Sequence, residues 1–463
     1  MKKYFISIIN ILVLTFIFAS CKKIADDKNL WKAVVVAAAP VSDAAPLCGT
    51  IKGTMLAGKT YTIGCNVTIN DGDTLTIQEG VTINFTGNYG IGVKGTLICL
   101  GTREKPNWIT YPNTVKTDQP GADPSKDPAF AGKWAGIIGG PGCKLMVIKW
   151  THIEFGGGAT TGEVAVLSKS SYPVFYQNPL GVFVFEDSWI YGSVDDPIRT
   201  LGGKIAVFRN TFEKCGYTGG EAMNMKAGTV GDYAYNVCIG MATNGPKLSN
   251  SGVITGVPGS NVRMYNNTLL NCGFRRAAAG RGGSINFEEG ASGMAYNNLM
   301  VNCKFGLRVV QSPIADTANL HYGYNFYYAD SISVANQFIP SLSVSAAISQ
   351  PQETDIPKPS AYMPAGWKVG DTYTAPAYLT GANNPLFING PAPLPSGYNL
   401  RDVVIISNYN LGLKAGSPCI GAGYTGFTPR GDVPIDAKYG ATELTPPGKD
   451  IGAYQSNGRG NQH

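Results

Sequence analysis

The sequence predicts an all-β chain wound into a right-handed parallel β-helix with a loop-rich C-terminal cap. Three observations carry that prediction. Met264-Tyr-Asn-Asn-Thr-Leu-Leu-Asn-Cys272 returns 31 residues later as Ala295-Tyr-Asn-Asn-Leu-Met-Val-Asn-Cys303, and self-similarity at a fixed period marks a solenoid. The segments between such anchors are rich in Gly, Asn, Val, Ile, Tyr and Thr and alternate with period two, which suits strands. Gly supplies 59 of the 463 residues and few stretches keep a helical period, so helical solenoids are set aside.

Lys2-Lys3, an apolar run from Tyr4 to Ala19 and then Ser20-Cys21 read as a secretory signal over residues 1–20. Phe18-Ala19-Ser20-Cys21 resembles a bacterial lipoprotein signal, with Phe18 where that family prefers Leu. The resemblance implies lipidation of Cys21 and a membrane partner reached through the lipid anchor. An ordinary signal peptide and a short membrane anchor are the other readings, and the run is short for a span. Lys22-Lys23 resembles release to the outer membrane, with the periplasmic or cell-surface face left open. Residues 21–46, with an Ala/Val/Pro-rich run, read as a tether.

The solenoid is expected over residues 47–330. Cys48 and Cys65 bracket a turn-rich segment at its open end and are the expected disulfide in an oxidising compartment. Thr74-Leu-Thr-Ile77, Val81-Thr-Ile-Asn-Phe85, Ile91-Gly-Val-Lys94 and Thr96-Leu-Ile-Cys99 are short strands between Asp-Gly, Glu-Gly and Lys-Gly turns. Thr151, Asp187, Asn210, Asn236, Asn267, Asn298 and Asn325 then mark successive coils, at steps of 36, 23, 26, 31, 31 and 27 residues. Stacked about 4.8 Å apart, such Asn side chains can hydrogen-bond to one another and satisfy amides that would otherwise be buried unpaired. Cys215, Cys272 and Cys303 would stack as small inward fillers, and a Cys272–Cys303 disulfide between adjacent coils is geometrically allowed.

One sheet of the solenoid carries chemistry on its outer face. Pro197-Ile-Arg-Thr200, Met223-Asn-Met-Lys226, Ile285-Asn-Phe-Glu288 and Leu307-Arg-Val-Val310 align with apolar side chains alternating against polar ones. Inward Ile198, Met223, Met225, Ile285, Phe287, Leu307 and Val309 place Arg199, Asn224, Lys226, Asn286, Glu288 and Arg308 outward. Such a ridge suits a long polymer, its hydroxyls and its carboxylates. The Gly-rich loop with Arg275, Arg276 and Arg281 leads directly into it; its guanidiniums could grip an acidic sugar, or neutralise Glu288 and Glu289. Glu288 and Glu289 adjoin on a strand and face opposite sides, a poor glycosidase pair, whereas Glu221 with Glu288 is conceivable.

Residues 331–463 are expected to cap the last coils, since an uncovered coil end exposes unpaired backbone. Pro is dense from Pro340 to Pro395, and Asn384-Pro-Leu-Phe-Ile388, Gly416-Ser-Pro-Cys-Ile-Gly-Ala-Gly423 and Asp450-Ile-Gly-Ala-Tyr454 follow. These phrases resemble the closing segment of bacterial β-helix proteins. With the signal and the coils, the chain resembles the right-handed β-helix lipoproteins of the Bacteroidota, in the pectate-lyase-like superfamily. That resemblance implies a polysaccharide partner and, for an enzyme, a polysaccharide lyase or glycoside hydrolase; a non-catalytic surface scaffold or adhesin is the alternative.

Glu221-Ala-Met-Asn-Met-Lys226 resembles the alginate and chondroitin lyase β-helices. In that family the Glu helps to hold Ca²⁺ and the Lys abstracts the proton α to the uronate carboxyl, which would make Glu221 a metal ligand and Lys226 the base. Glu288 and Arg281 complete the catalytic candidates; Arg199, Asn224, Arg275, Arg276, Asn286 and Arg308 are candidate substrate contacts. The family's Leu-x-Arg-His-Gly partner is replaced by Thr243-Asn-Gly-Pro-Lys247. No Cys-x-x-Cys occurs and His152, His321 and His463 are scattered, which leaves a transition-metal site without support. A net charge of +6, or +4 without Lys2 and Lys3, is too small and dispersed for nucleic-acid binding. A monomer is expected.

Overall fold

The computed structural model describes residues 39–117, 124–167, 172–253, 255–278, 280–310, 313–331, 334, 352–361, 383–394 and 409–463. The signal, Cys21 and most of the tether lie outside the described residues. Among the described residues, no helix is long and apolar enough to cross a membrane.

The chain forms a parallel β-helix. A ten-stranded parallel sheet, called A here, runs from Gly53–Met55 to Leu320–Gly323. A further network of nineteen strands divides into two faces, B and C, because Thr60–Ile69 turns a corner and belongs to both. Its first residues pair with Thr82–Phe85 on sheet B, and its last pair with Gly90–Val93 on sheet C. Each rung thus crosses A, then B, then C, as Gly203–Phe208, Thr211–Cys215 and Met223–Met225 do.

The interior is filled by what the alternation turns inward. Phe183, Phe185, Phe212 and Tyr233 stack ring on ring at centroid separations of 6.3, 6.1 and 6.4 Å from Phe183 onward. Trp134 lies flat on Phe85 at 4.4 Å. Each such side chain contributes about 1.5–3 kcal/mol by leaving water.

The asparagine ladder forms at the A–B corner. Asn210 Nδ2 donates to Asn236 Oδ1 at 2.9 Å, Asn236 to Asn267 at 3.2 Å, Asn267 to Asn298 at 2.8 Å and Asn298 to Asn325 at 3.0 Å. Every acceptor oxygen also takes the backbone N–H of the ladder residue one rung before, so two buried donors are satisfied by one carbonyl. One assignment is corrected: the ladder member on the Asp187 rung is Ser188, whose N–H donates to Asn210 Oδ1 at 2.9 Å. Asp187 instead occupies the position just before the ladder, where the chain is left-handed. Trp150, Asp187, Arg209, Tyr235, Asn266, Asn297 and Tyr324 all sit there with φ between 46° and 59°. This conformation costs a non-glycine residue about 1–2 kcal/mol, and the ladder beside it holds the turn in place.

Cys48 and Cys65 are joined in a disulfide with Cα atoms 5.0 Å apart. Cys215, Cys272 and Cys303 are buried and free, so the allowed Cys272–Cys303 bridge is not made. The Sγ atoms of Cys272 and Cys303 instead donate to Leu270 O and Leu269 O.

Two parts of the C-terminal region do different work. Residues 352–356 sit on the last rung, where Asp355 ends the ladder by accepting Asn325 N–H at 2.9 Å. Residues 409–463 run along the flank of the coils rather than over their end. The reason lies in sheet B, whose Val237, Ile239, Leu270, Leu299, Val301 and Phe326 point outward and need cover. The closing phrases provide it: Phe387, Cys419, Ile451 and Ala453 pack onto that face. Polar ties fix the register, with Thr442 donating to Glu186, Arg430 and Gly431 N–H to Asp232, and Asn266 Nδ2 to Asp450 O.

Candidate functional site

Sheet C carries a polar column on its outer face. Arg199, Asn224, Lys247, Asn286 and Arg308 occupy one register position on five successive rungs. Met223, Met225, Leu248, Phe287 and Val309 alternate with them and enter the core. Lys226, Ser249 and Glu288 lie two residues further along their rungs on the same outer face, with Ser249 and Glu288 in register. The alternation thus brings together Arg199, Asn224, Lys226, Asn286, Glu288 and Arg308 as expected from the sequence.

Lys247 lies at the centre of this face, its Nζ 2.8 Å from Glu288 Oε2 and 3.9 Å from Glu221 Oε1. Burial alone would pull its pKa down, but Glu221 and then Glu288 more than offset that and leave it above the ordinary lysine value. Glu288 also accepts Asn286 Nδ2 at 3.4 Å and has the exposed Arg281 guanidinium 4.0 Å away. Lys226 differs from Lys247. Its Nζ donates to Ser249 Oγ at 3.0 Å, and burial, then the charges of Lys247 and Arg199, hold its pKa below the ordinary value.

Three carboxylates meet at the edge of this face. Asp195, Asp196 and Glu221 each place an oxygen within 4.8 Å of the others. Burial, then the charge of Glu221, pushes Asp195 and Asp196 up, whereas for Glu221 burial is outweighed by the hydrogen bond with Asp196 and by Lys247 and Lys226. Two amides reach into the cluster: Asn224 Nδ2 donates to Asp196 Oδ2 at 2.9 Å and Asn244 Nδ2 to Glu221 Oε1 at 3.2 Å. The carbonyl oxygens of Asn224 and Asn244 are buried and accept no hydrogen bond among the described residues. Turning either amide over would present an oxygen instead. The donor set is then all oxygen, which fits a hard cation such as Ca²⁺.

The remaining candidates divide. Arg199 donates to the Tyr172 hydroxyl and lies 4.0 Å from Asp196. Arg308 donates to Gly282 O at 2.9 Å, and burial lowers its pKa to about 10. Arg276 donates to Thr218 O at 3.1 Å. Arg275 is corrected as a substrate contact. Its buried guanidinium donates to the carbonyls of Cys215, Gly216 and Gly240 and lies over the Phe130 ring, so it ties coils together at the B–C corner.

Sequence reasoning missed Lys247, Asp195, Asp196 and Asn244. Pro246-Lys-Leu-Ser249 repeats the apolar–polar alternation, but the preceding Asn-Gly-Pro reads as a turn. The Asp-Asp pair stands just before the strand Ile198–Thr200, one rung from Glu221. The histidines are also less scattered than the sequence implies: His152 and His463 meet edge to face at 6.5 Å. Burial, then Lys116 and His463, pulls His152 down to about 3.

No protein-family model matches the chain, and no solved structure does. A stretch of 46 residues is 50% identical to Protein bark beetle of Drosophila melanogaster, covering 10% of this chain and 2% of that protein. A likeness over so small a share of both chains assigns no family.

Proposed function

We propose that this protein holds an acidic polysaccharide along the outer face of sheet C and cleaves it by β-elimination at Lys226, at a cell envelope to which lipidated Cys21 would tether it. The observation that carries this reading is Lys226 itself. It is a partly buried lysine, held below its ordinary pKa, beside a column that repeats over five rungs or about 19 Å.

The chemistry follows from the groups present. The neutral Lys226 amine takes the proton α to a uronate carboxyl. The electron pair of the broken C–H bond forms the new carbon–carbon double bond as the glycosidic C–O bond at the β carbon breaks, and the departing sugar oxygen takes a proton from water. Arg199 and Arg281, about three rungs apart along the column, would hold the carboxylates of separate sugar units. A Ca²⁺ ion held by Asp195, Asp196 and Glu221 would draw charge from the uronate carboxyl and make the α-proton more acidic.

A non-catalytic binder or scaffold is the second reading. It is favoured by the internal pairing of the floor, in which Lys247 is committed to Glu288 and Arg308 to Gly282 O. The test incubates the protein with polygalacturonate, alginate and chondroitin, with Ca²⁺ or a chelator, and follows the ultraviolet absorbance of the unsaturated product. Product that requires Ca²⁺ and is lost in Lys226→Ala supports elimination. Absence of product from all three, with binding that survives, moves the protein to the second reading; no binding of any of them ends the groove proposal.

A further inference from the structure

A second site lies on the opposite flank, between the C-terminal segment and the coils. A cavity of about 680 Å³, partly open to solvent, is lined by three stretches of that segment and by Arg209 and Tyr235. No residue of the sheet C column lines it. Its size falls within the range of small-ligand sites, roughly 300–1,000 Å³.

The charges around the cavity are unequally committed. Arg209 is held by both oxygens of Asp187, at 2.6 and 2.8 Å, and has Glu443 at 3.8 Å. Asp450 accepts the backbone N–H groups of Gly421 and Ser456. The Tyr235 hydroxyl donates to Pro446 O at 2.6 Å. Lys449 and Arg459 remain, both exposed, and neither side chain makes an ion pair or hydrogen bond among the described residues. Asp450 is thus satisfied by backbone N–H groups, Glu443 shares Arg209 with Asp187 and Glu186, and the lining as a whole carries three cations against two carboxylates, an excess of positive charge that suits an anion.

The rest of the wall narrows the class of anion. Leu444, Pro446 and Pro447 form an apolar side, and Thr425, Ser456 and Asn457 bring hydroxyl and amide groups. A polyphosphate would find only two open cations and a hydrophobic surface. A pyranose carrying a carboxylate offers the matching pattern of C–H faces, hydroxyls and a charge.

We propose that this cavity binds an acidic sugar, its carboxylate held between Lys449 and Arg459 and its ring against the Leu444–Pro447 side. The site exists only where the C-terminal segment is docked, which gives the closing phrases a binding role besides their packing role. It stands independently of the groove.

The test is calorimetric titration of the full chain with trigalacturonate at low salt, and with maltotriose as the neutral control. A component of trigalacturonate binding that weakens with added salt, and by about fivefold or more in Lys449→Met and in Arg459→Met, is expected beside any binding in the groove. Both residues are exposed and methionine keeps the apolar stem, so the fold should persist, as circular dichroism will show. Arg281→Ala, on the other face, should leave that component unchanged. Absence of binding, equal binding of maltotriose, or full binding by the Lys449→Met/Arg459→Met double variant would each overturn the proposal. Binding lost in Arg281→Ala and kept in the double variant would place the sugar in the groove alone.

Discussion

Replacing Asn267 by alanine tests whether the asparagine ladder is structural. Asn267 Nδ2 donates to Asn298 Oδ1 at 2.8 Å and to Tyr233 O at 3.3 Å, while its Oδ1 accepts Asn236 N–H at 2.9 Å and Asn236 Nδ2 at 3.2 Å. Asn236 Nδ2 keeps Val207 O and Asn298 Oδ1 keeps the Asn267 N–H, but the Asn236 N–H loses its acceptor in a fully buried corner. An orphaned buried donor costs about 1–3 kcal/mol and each of the three other lost hydrogen bonds about 1 kcal/mol, so a loss of about 4–6 kcal/mol is expected. Urea unfolding followed by circular dichroism measures it. A loss below about 1 kcal/mol would refute the reasoning, since the corner would then be satisfied some other way.

Three further outcomes follow from the same accounting. Asp355 is buried, and burial raises its pKa to about 7, above the unfolded value near 3.8; the stability linked to its protonated form is therefore present at acid pH and lost as pH rises through 7. Urea midpoints of the wild type should fall between pH 5 and pH 8, and in Asp355→Asn that fall should shrink. Lys247→Ala leaves Glu288 and Glu221 buried without their ammonium and should cost about 3–5 kcal/mol by the same urea measurement. Arg275→Ala should lower the melting temperature markedly while leaving glycan affinity of the folded fraction unchanged, because its guanidinium serves backbone carbonyls and does not reach the groove.

The ladder was legible because one amide per rung leaves a periodic trace, and Asn236, Asn267, Asn298 and Asn325 are where that trace put them. The slip at Asp187 has a physical cause. The left-handed position before the ladder also favours Asn and Asp, as Asn266 and Asn297 show, so one polar residue alone does not say which of the two places it fills. The outer face of sheet C was legible through alternation. The carboxylate cluster was not, because Asp195, Asp196 and Asn244 stand at corners, where no period constrains the chain. Arg275 failed for a related reason: a Gly-rich loop does not announce the direction of its side chains. The cover over sheet B did leave a signal. Leu299-Met-Val301 is apolar at every position, as expected for a strand buried on both faces.

The C-terminal segment also changes how the molecule can come apart. In a bare solenoid each repeat contacts only its neighbours, so the ends can fray while the middle persists. Here one segment touches Lys149 through Ala437, Glu186 through Thr442, Tyr265 through Thr445, Asn266 through Asp450 and Asn297 through Tyr424. Contacts between residues so far apart in sequence span rungs that are not adjacent. Fraying past any one of these rungs has to peel the segment away first, which couples the central rungs into a single cooperative unit and leaves the N-terminal ones, closed by Cys48–Cys65, to open separately.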